Sequence, residues 1–178
     1  MERELTDLSG ATKGFDFEEA VHRHLDRAYR LAGLILGSSD GAEDATQEAL
    51  LRAWQARNSL REGERFPAWF DRILLNVCRD RLRRQRRITF VQLQVDAPTT
   101  TRDPFAEVLD RDELGRVIAT LDPDARMLVV LRFWADLPID EIASRLNVPA
   151  GTVKSRLHRT LGDVADRLNQ ATKRSRHE

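Results

Sequence analysis

Helical periodicity is the feature of this chain that most limits what it can fold into. From Phe15 onward, apolar residues recur at every third or fourth position, the spacing of one face of an α-helix. The repeat is interrupted between residues 88 and 106, where two prolines and several β-branched residues take its place. Because few segments resemble strands, we predict an all-α protein made of two small helical domains joined by a flexible linker.

This interruption sets the expected domain boundaries. The helical segments at 15–87 and 107–170 are the two predicted domains, and each is expected to bury a core of its own. Residues 88–106 form the predicted linker. Residues 1–14 are polar and lack an apolar stripe, so we expect a mobile N-terminal tail, and residues 171–178 form the corresponding C-terminal tail.

Capping residues place the helices of the first predicted domain. Gly37 is expected to end the first helix. The second begins near Asp40, whose carboxylate can cap the free amides, with Glu43 in the first turn. The third extends from about Pro67 to Arg84. The residues expected to face the core from the second and third helices are Ala42, Ala45, Ala49, Ala53, Trp54, Phe70, Ile73, Leu74 and Val77.

The formal net charge is zero, but the charges are segregated along the chain. Residues 16–48 carry a net charge of −5, whereas residues 51–87 carry +7 from eleven arginines and four acids. Residues 141–178 carry +4. Simple solvation of helix faces would explain the composition but not this segregation. A chain that touches both protein and nucleic acid can be built this way.

Several classes of function find no support. Cys78 is the only cysteine, so an intrachain disulfide and a cysteine-based metal cage are excluded, and we expect a small core residue. The four histidines lack metal-ligand spacing with carboxylates, and no Gly-rich phosphate loop or nucleophile motif occurs. We predict no enzyme, no catalytic residue, no metal and no cofactor. Without a signal peptide or an apolar stretch of ~20 residues, the chain is expected to be cytoplasmic, with no membrane contact of its own.

The strongest motif is a helix-turn-helix at 138–161. Pro138 suits a first helical position, and Asn147 tolerates the left-handed backbone of a tight turn. In the second helix Val153, Leu157 and Leu161 share the predicted buried face. An ordinary helical hairpin with a solvated basic face is the alternative. The opposite side carries groups able to contact phosphates and base edges in the major groove, namely Thr152, Lys154, Ser155, Arg156 and Arg159.

The helix at 40–56 presents a mixed-charge face opposite its alanines. An exposed Leu51 within such a face suits a protein partner better than DNA, although a solvated face with one stray leucine is nearly as well supported. The residues of this face are Asp44, Gln47, Glu48, Leu51, Arg52 and Gln55.

The next helix is richer in arginine. Six arginines lie between Arg79 and Arg87 against the single acid Asp80, a density that favours a phosphate backbone over a merely charged helix end. Arg72, Asn76, Arg79, Arg83 and Arg86 project on one side. Phe66, Trp69 and Phe70 could stack on unpaired bases, but aromatic residues at helical spacing are more often core. We expect Leu74, Val77, Ile142 and Leu157 to be buried, and the arginines from Arg79 to Arg87 to be largely exposed.

Three segments together resemble the extracytoplasmic-function (group 4) RNA polymerase sigma factors. DGAEDATQEALLRAW at 40–54 is similar to the family's region 2.2, and FPAWFDRILLNVCRDRLRRQRR at 66–87 to regions 2.3 and 2.4. Residues 121–161, which include PAGTVKSRLHR, are similar to region 4. One departure is Arg159-Thr160-Leu161, where R-A-R or R-A-L is commoner.

The resemblance implies a role for each face. Asp44, Gln47, Glu48, Leu51 and Arg52 would bind the clamp helices of core RNA polymerase, whose flap would be a second contact. The single-stranded −10 element would be held by Arg65, Trp69, Asn76, Arg79, Arg83 and Arg84. The duplex −35 element would be read by Thr152, Lys154, Ser155, Arg156 and Arg159. An anti-sigma factor is the expected regulator, and promoter-specific transcription initiation in the bacterial cytoplasm the expected function.

A different class of DNA-binding protein remains open from the residues alone. A helix-turn-helix regulator that binds operator DNA as a dimer would also use the 138–161 motif. It predicts tight binding of a symmetric duplex by the isolated protein. The sigma interpretation predicts weak or absent DNA binding until core polymerase is added.

Overall fold

The computed structural model describes residues 15–60, 66–91, 105 and 113–175. Within these residues it is helical and contains no strand, which confirms the predicted all-α class. The helices are α1 (Phe17–Leu36), α2 (Ser39–Ala56), a 3-10 turn (Arg57–Ser59), α3 (Phe66–Val91), α4 (Glu113–Ala119), α5 (Pro123–Val129) with a π-helical continuation (Val130–Trp134), α6 (Ile139–Leu146) and α7 (Ala150–Ser175).

Helices α1–α3 pack on one another and form what we call the first module; α4–α7 form the second module. The predicted tail at 1–14 and most of the predicted linker lie outside the described residues, as do residues 176–178.

Local caps set the ends of α1 and α2. Asp16 accepts a hydrogen bond from the Glu19 amide at 3.1 Å, and Gly37 ends α1 in the left-handed region at φ 71°, as predicted. The expected cap at Asp40 is wrong. Ser38 is the residue with extended backbone before the helix, and its hydroxyl oxygen accepts from the Gly41 amide at 3.1 Å. Asp40 lies in the first turn.

The alanine stripe of α2 is buried as expected, but Trp54 is not part of it. Ala42, Ala45, Ala49 and Ala53 have no exposed surface, whereas Trp54 is 46% exposed. One position beyond Ala53 is a rotation of about 100° around the helix, which moves the indole to the edge of the interface. There it packs against Phe17, with ring centroids 5.7 Å apart.

Helix α3 continues beyond its predicted end at Arg84, through Val91 and into the segment assigned to the linker. The arginines that precede this extension favour helix, and the next proline is Pro98. Phe70, Leu74, Val77 and Cys78 are buried, as expected. Ile73 is only partly buried. Phe66 is buried too and stacks on Phe70 at 5.5 Å, so neither of these rings is a free platform for bases.

The helix-turn-helix is formed by α6 and α7. Asn147 ends α6 at φ 52°, in the left-handed region, as predicted. Pro138 is the cap residue rather than the first helical residue. Ile142, Val153 and Leu157 are buried, but Leu161 is 40% exposed and its predicted burial is wrong. Thr160 is buried instead, and its hydroxyl is satisfied because it donates to the Arg156 carbonyl oxygen at 2.9 Å.

The expectation of two separate cores is wrong. Helix α3 packs on α6, and α1 contacts α5 and its π-helical continuation. As a result, buried apolar residues of both modules form one continuous cluster. Sequence periodicity identifies which face of a helix is buried, but not which other helix covers it.

Candidate polymerase and promoter interface

The five residues predicted to bind polymerase lie along the outer side of α2. Leu51 is 58% exposed, and Asp44 and Gln47 are exposed as well. Glu48 and Arg52 are partly buried, and Arg52 donates to Glu48 Oε1 at 2.5 Å. The face therefore presents an apolar side chain surrounded by charges, a composition that suits a protein partner.

Two residues of α3 belong to this face and were missed from sequence. Arg81 donates to Asp44 Oδ2 and to Glu48 Oε2, both at 3.1 Å, and Arg52 lies 3.8 Å from Asp80 Oδ2. Arg81 had been expected to be exposed with its arginine neighbours. It is partly buried, because the acids of α2 hold it on the side of α3 opposite to Asn76. We call these side chains, Asp44, Glu48, Arg52, Asp80 and Arg81, the outer ion-pair cluster.

The residues predicted to bind the −10 element lie on α3, apart from Arg65, which is outside the described residues. Asn76, Arg83 and Arg84 are exposed, whereas Trp69 and Arg79 are partly buried. Asn76 and Arg79 line a cleft of about 790 Å³, together with Arg72, which the predicted set omitted. Of the remaining arginines of this run, the side chains of Arg86 and Arg87 are not described.

The residues predicted to read the −35 element lie on the first two turns of α7 and just beyond. Lys154, Ser155, Arg156 and Arg159 are exposed, and Thr152 is partly buried. The Ser155 hydroxyl donates to the Thr152 carbonyl oxygen at 3.1 Å, which leaves its lone pairs to accept from a ligand. This face thus combines cations with short polar groups, as a major-groove helix requires.

The two predicted DNA faces are brought together across the module boundary. The 790 Å³ cleft is bounded on one side by α3 and on the other by the turn of the helix-turn-helix, including Ser144, Asn147 and Pro149. A second cavity of about 250 Å³ lies between Arg79 and Arg83 of α3 and Thr152 and Arg156 of α7. Sequence reasoning did not anticipate this arrangement.

A buried ion-pair cluster lies next to this boundary and was also missed. Asp71 of α3 is 2% exposed and accepts from Arg27 of α1, with 3.0 Å to each carboxylate oxygen. Arg145 of α6, 8% exposed, donates to Asp71 Oδ2 and, at 2.9 Å, to Glu141 Oε2. The sequence contained one indication of this cluster. An acid follows Phe70 directly in an apolar stripe, and buried acids are rare unless they are paired.

Burial shifts the pKa of two titratable groups among the described residues of the first module. Burial raises the pKa of the Cys78 thiol to about 12, against a weaker opposing effect of Arg81. Burial is also the largest cause that lowers the pKa of His24, followed by the positive charge of Arg27. No group of three or more possible metal ligands occurs among the described residues. Within the same part of the chain, no helix is long and apolar enough to cross a membrane.

Sequence models of two protein regions match this chain: sigma-70 region 2 over residues 20–88 and sigma-70 region 4 over residues 111–164. The ECF RNA polymerase sigma factor SigE of Mycolicibacterium smegmatis is 35% identical over 158 residues, covering 85% of this chain and 61% of that protein. The chain thus spans less than two thirds of SigE. The ECF RNA polymerase sigma factor SigW of Bacillus subtilis is 32% identical, covering 80% of this chain and 83% of that protein.

Two solved structures resemble this one. The sigma factor RpoE of Bartonella quintana, solved in complex with the anti-sigma factor NepR, has a TM-score of 0.69 at 24% identity, covering 88% of this chain and 98% of that one. CnrH in complex with the cytosolic domain of CnrY has a TM-score of 0.56 at 25% identity, covering 91% and 92%. The matched regions and the identity to SigW together show that the chain belongs to the ECF family of sigma-70-type RNA polymerase sigma factors.

Proposed function

We propose that this sigma factor binds core RNA polymerase through the outer side of α2 and directs it to promoters through α3 and α7. The observation that carries the proposal is the order of the three faces on two modules that match regions 2 and 4. The side chains of each face have the charge and polarity that suit its proposed partner, which is polymerase for α2 and promoter DNA for α3 and α7. The factor confers promoter specificity on the polymerase and catalyses no reaction itself, and it acts in the bacterial cytoplasm because the polymerase works there.

The polymerase contact rests on the α2 face. Leu51 is the large apolar side chain in its centre, and the outer ion-pair cluster holds the charged residues around it in a defined arrangement. A desolvated apolar anchor within a charged rim is the usual anatomy of a protein interface. The clamp helices of the polymerase would cover this face, and its flap would contact the second module.

The −10 contact rests on α3. Arg79, Arg83 and Arg84 place three cations along one helix, where they can follow the phosphates of a melted strand. Asn76 offers both a donor and an acceptor to the edge of an unpaired base. Trp69 is only partly buried, and an unpaired base can pack on its accessible part. Arg65, which precedes α3, completes the proposed set.

The −35 contact rests on the start of α7. Arg156 and Arg159 are exposed and suited to guanine edges in the major groove, while Thr152, Lys154 and Ser155 complete the face. An operator-binding dimer would use the same helix, but it has no need of the polymerase face on α2 or of the arginines of α3. Both module matches favour the sigma factor.

We also propose that the factor is held inactive by an anti-sigma factor. The sigma factor RpoE of Bartonella quintana was solved with such a partner, the anti-sigma factor NepR. Residues 88–106 are proposed to connect the two DNA-binding modules as a linker, apart from the first four, which continue α3. The proposed domains are otherwise 15–87 and 107–170, with tails at 1–14 and 171–178.

Run-off transcription with bacterial core polymerase tests this function. Wild-type protein is expected to yield core-dependent transcripts from a subset of genomic promoters. Asn76→Ala and Arg156→Ala should each reduce them about tenfold, since one base-reading contact is worth about 1–3 kcal/mol. Arg23→Ala, which removes an exposed arginine belonging to none of the three faces, is the matched control. Absence of transcripts, together with tight duplex binding by the protein alone, would instead favour the operator-binding regulator.

A further inference from the structure

Four arginines line two adjoining cavities of this protein. Arg72 and Arg79 lie along the cleft of about 790 Å³, and Arg79, Arg83 and Arg156 lie along the cavity of about 250 Å³. Because Arg79 lines both, the two cavities are neighbours, and we call them together the arginine cleft. Among the described residues, Asp124 is the one acid along it. The cleft therefore carries a concentrated positive charge in a chain whose net charge is zero.

These four side chains, which we call the cleft arginines, differ from other arginines of the protein. Arg27 and Arg145 both pair with Asp71. Arg81 pairs with Glu48. Within the part of the chain that the structure describes, the guanidinium groups of the cleft arginines have no ion pair and no hydrogen bond. Unpaired cations in a concave surface concentrate anions from solution, so the cleft is suited to an anionic ligand.

The wall opposite α3 adds neutral hydrogen-bond donors. It is formed by the turn of the helix-turn-helix, where Ser144 and Asn147 are exposed. Their hydroxyl and carboxamide groups donate to oxygen acceptors. Arginine, for its part, binds phosphate through two parallel N–H groups. The polar part of the lining thus matches the oxygens of phosphate groups.

The spacing of the arginines on α3 indicates more than one phosphate. Arg72, Arg79 and Arg83 follow one another at intervals of seven and four residues, which keeps them on one face of the helix. At ~1.5 Å of rise per residue, the first and the last lie roughly 16 Å apart along the axis. A single phosphate can contact only neighbouring members of such a row. A chain of linked phosphates can contact all of them.

The size and the remaining lining of the cleft favour a small molecule. Ligand pockets have volumes of about 300–1,000 Å³, whereas a DNA duplex, whose major groove alone is about 12 Å wide, cannot enter a cavity of this volume. Ala143, Leu146 and Val148 supply an apolar wall, which can cover a nucleobase. Two of the polar lining residues, Arg72 and Asn147, belong to neither predicted DNA face. DNA binding therefore does not account for the whole cleft.

We propose that the arginine cleft binds a small ligand that carries a chain of linked phosphates. The cleft arginines bind the phosphates, and Ser144 and Asn147 donate hydrogen bonds to them. Two kinds of molecule share this chemistry, namely nucleoside polyphosphates and inorganic polyphosphate. The apolar wall would add affinity only for the first kind, because inorganic polyphosphate has no group to place against it.

Isothermal titration calorimetry of the full chain tests the site and separates the two kinds of ligand. ATP and inorganic tripolyphosphate, which have the same number of phosphates, are titrated at about 0.15 M salt, where exposed charges are largely screened. Both should bind with one ligand per chain, and adenosine, which lacks phosphates, should not bind. Tighter binding of ATP than of tripolyphosphate would identify a nucleoside ligand, and equal affinities an inorganic one.

Two variants locate the binding in the cleft. Arg72→Ala should weaken tripolyphosphate binding about tenfold, since it removes a hydrogen bond between charged groups. Asn147→Gly should weaken it about threefold, because it removes the carboxamide while glycine readily adopts the left-handed φ of 52° at this turn. The matched control is Arg84→Ala, which removes an exposed arginine of α3 that lines neither cavity. Its affinity should equal that of the wild type.

The replaced side chains are all exposed, so thermal unfolding of each variant should match that of the wild type. Absence of saturable binding of both ATP and tripolyphosphate would overturn the site. Equal losses of affinity in Arg72→Ala and Arg84→Ala would overturn it as well, since binding would then reflect the overall charge of α3. None of these results depends on transcription. Failure of core-dependent transcription would instead overturn the proposed function and leave the ligand site intact.

Discussion

Two ion-pair clusters in this molecule are built from the same residue types, acids and arginines, but they serve opposite purposes. The outer ion-pair cluster joins Asp44 and Glu48 to Arg81 at 3.1 Å on a solvent-exposed surface. The buried ion-pair cluster, which we call the inner cluster, joins Asp71 to Arg27 and Arg145 away from solvent. Exposed pairs add little to stability, because water screens them and competes for each charge. Buried pairs depend on every partner. Solvent exposure, rather than residue type, therefore decides whether an ion pair belongs to a binding surface or stabilises one conformation.

The largest expected effect comes from breaking the inner cluster. Asp71→Asn should lower the free energy of unfolding by about 3 kcal/mol, since it leaves Arg145 and the partly exposed Arg27 without their common counter-charge. Urea denaturation measures this change. Asp80→Asn, an acid of the outer cluster with a 45% exposed side chain, should change stability by less than about 1 kcal/mol. Equal losses in the two variants would contradict the distinction between the clusters.

Leu51→Ala should affect binding but not folding. The side chain is 58% exposed in the free protein, so its removal leaves no cavity. If core polymerase covers it, affinity should fall about tenfold, as for a central interface residue of this size. Titration of labelled sigma factor with core polymerase measures the affinity. Arg23→Ala, which removes an exposed side chain of α1 outside all three faces, is a control expected to retain the affinity.

A smaller effect is expected from Arg81→Ala in the outer cluster. Loss of its contacts to Asp44 and Glu48 should cost less than about 1 kcal/mol of stability, and the cost should shrink further with added salt. Thermal unfolding at low and high ionic strength measures both. A loss as large as that for Asp71→Asn would show that the outer cluster, too, is a structural element.

The smallest effect on stability is expected at Cys78, whose buried thiol should not react with alkylating reagents in the folded protein. Its pKa of about 12 keeps the thiol protonated at pH 8, so iodoacetamide should not modify the folded protein. Because the thiol of the unfolded chain has its ordinary pKa of 9.0, this group leaves the free energy of unfolding unchanged below that pH. It should reduce stability as the pH rises from about 9 to 12. Rapid alkylation of the native protein at pH 8 would contradict the burial of this residue.

Much of the local structure was predictable because its causes are local. The end of α1 at Gly37 and the turn at Asn147 follow from backbone preferences of single residues. Buried Leu74 and Ile142 follow from helical spacing. The errors at Trp54 and Leu161 have a local cause as well, since each lies at the edge of its stripe, where one rotation of about 100° decides exposure.

The candidate site was predictable only in part. Residue types and spacing placed Leu51, Asn76 and Arg156 on helix faces, and the structure keeps all three exposed. Their roles in binding stay predictions. The contribution of Arg81 to the α2 face was missed because it comes from another helix, 33 residues beyond Glu48.

By itself, the sequence determined the helical content, the helix-turn-helix and the resemblance to sigma factors. These depend on interactions between residues three or four positions apart, or on single capping positions, which the order of residues specifies directly. Only the tertiary structure decided that Asp71 meets Arg145, that Phe105 sits on Gly33, and that the two DNA faces share one cavity. Such contacts depend on which buried faces cover one another, and helical periodicity carries no information about that choice.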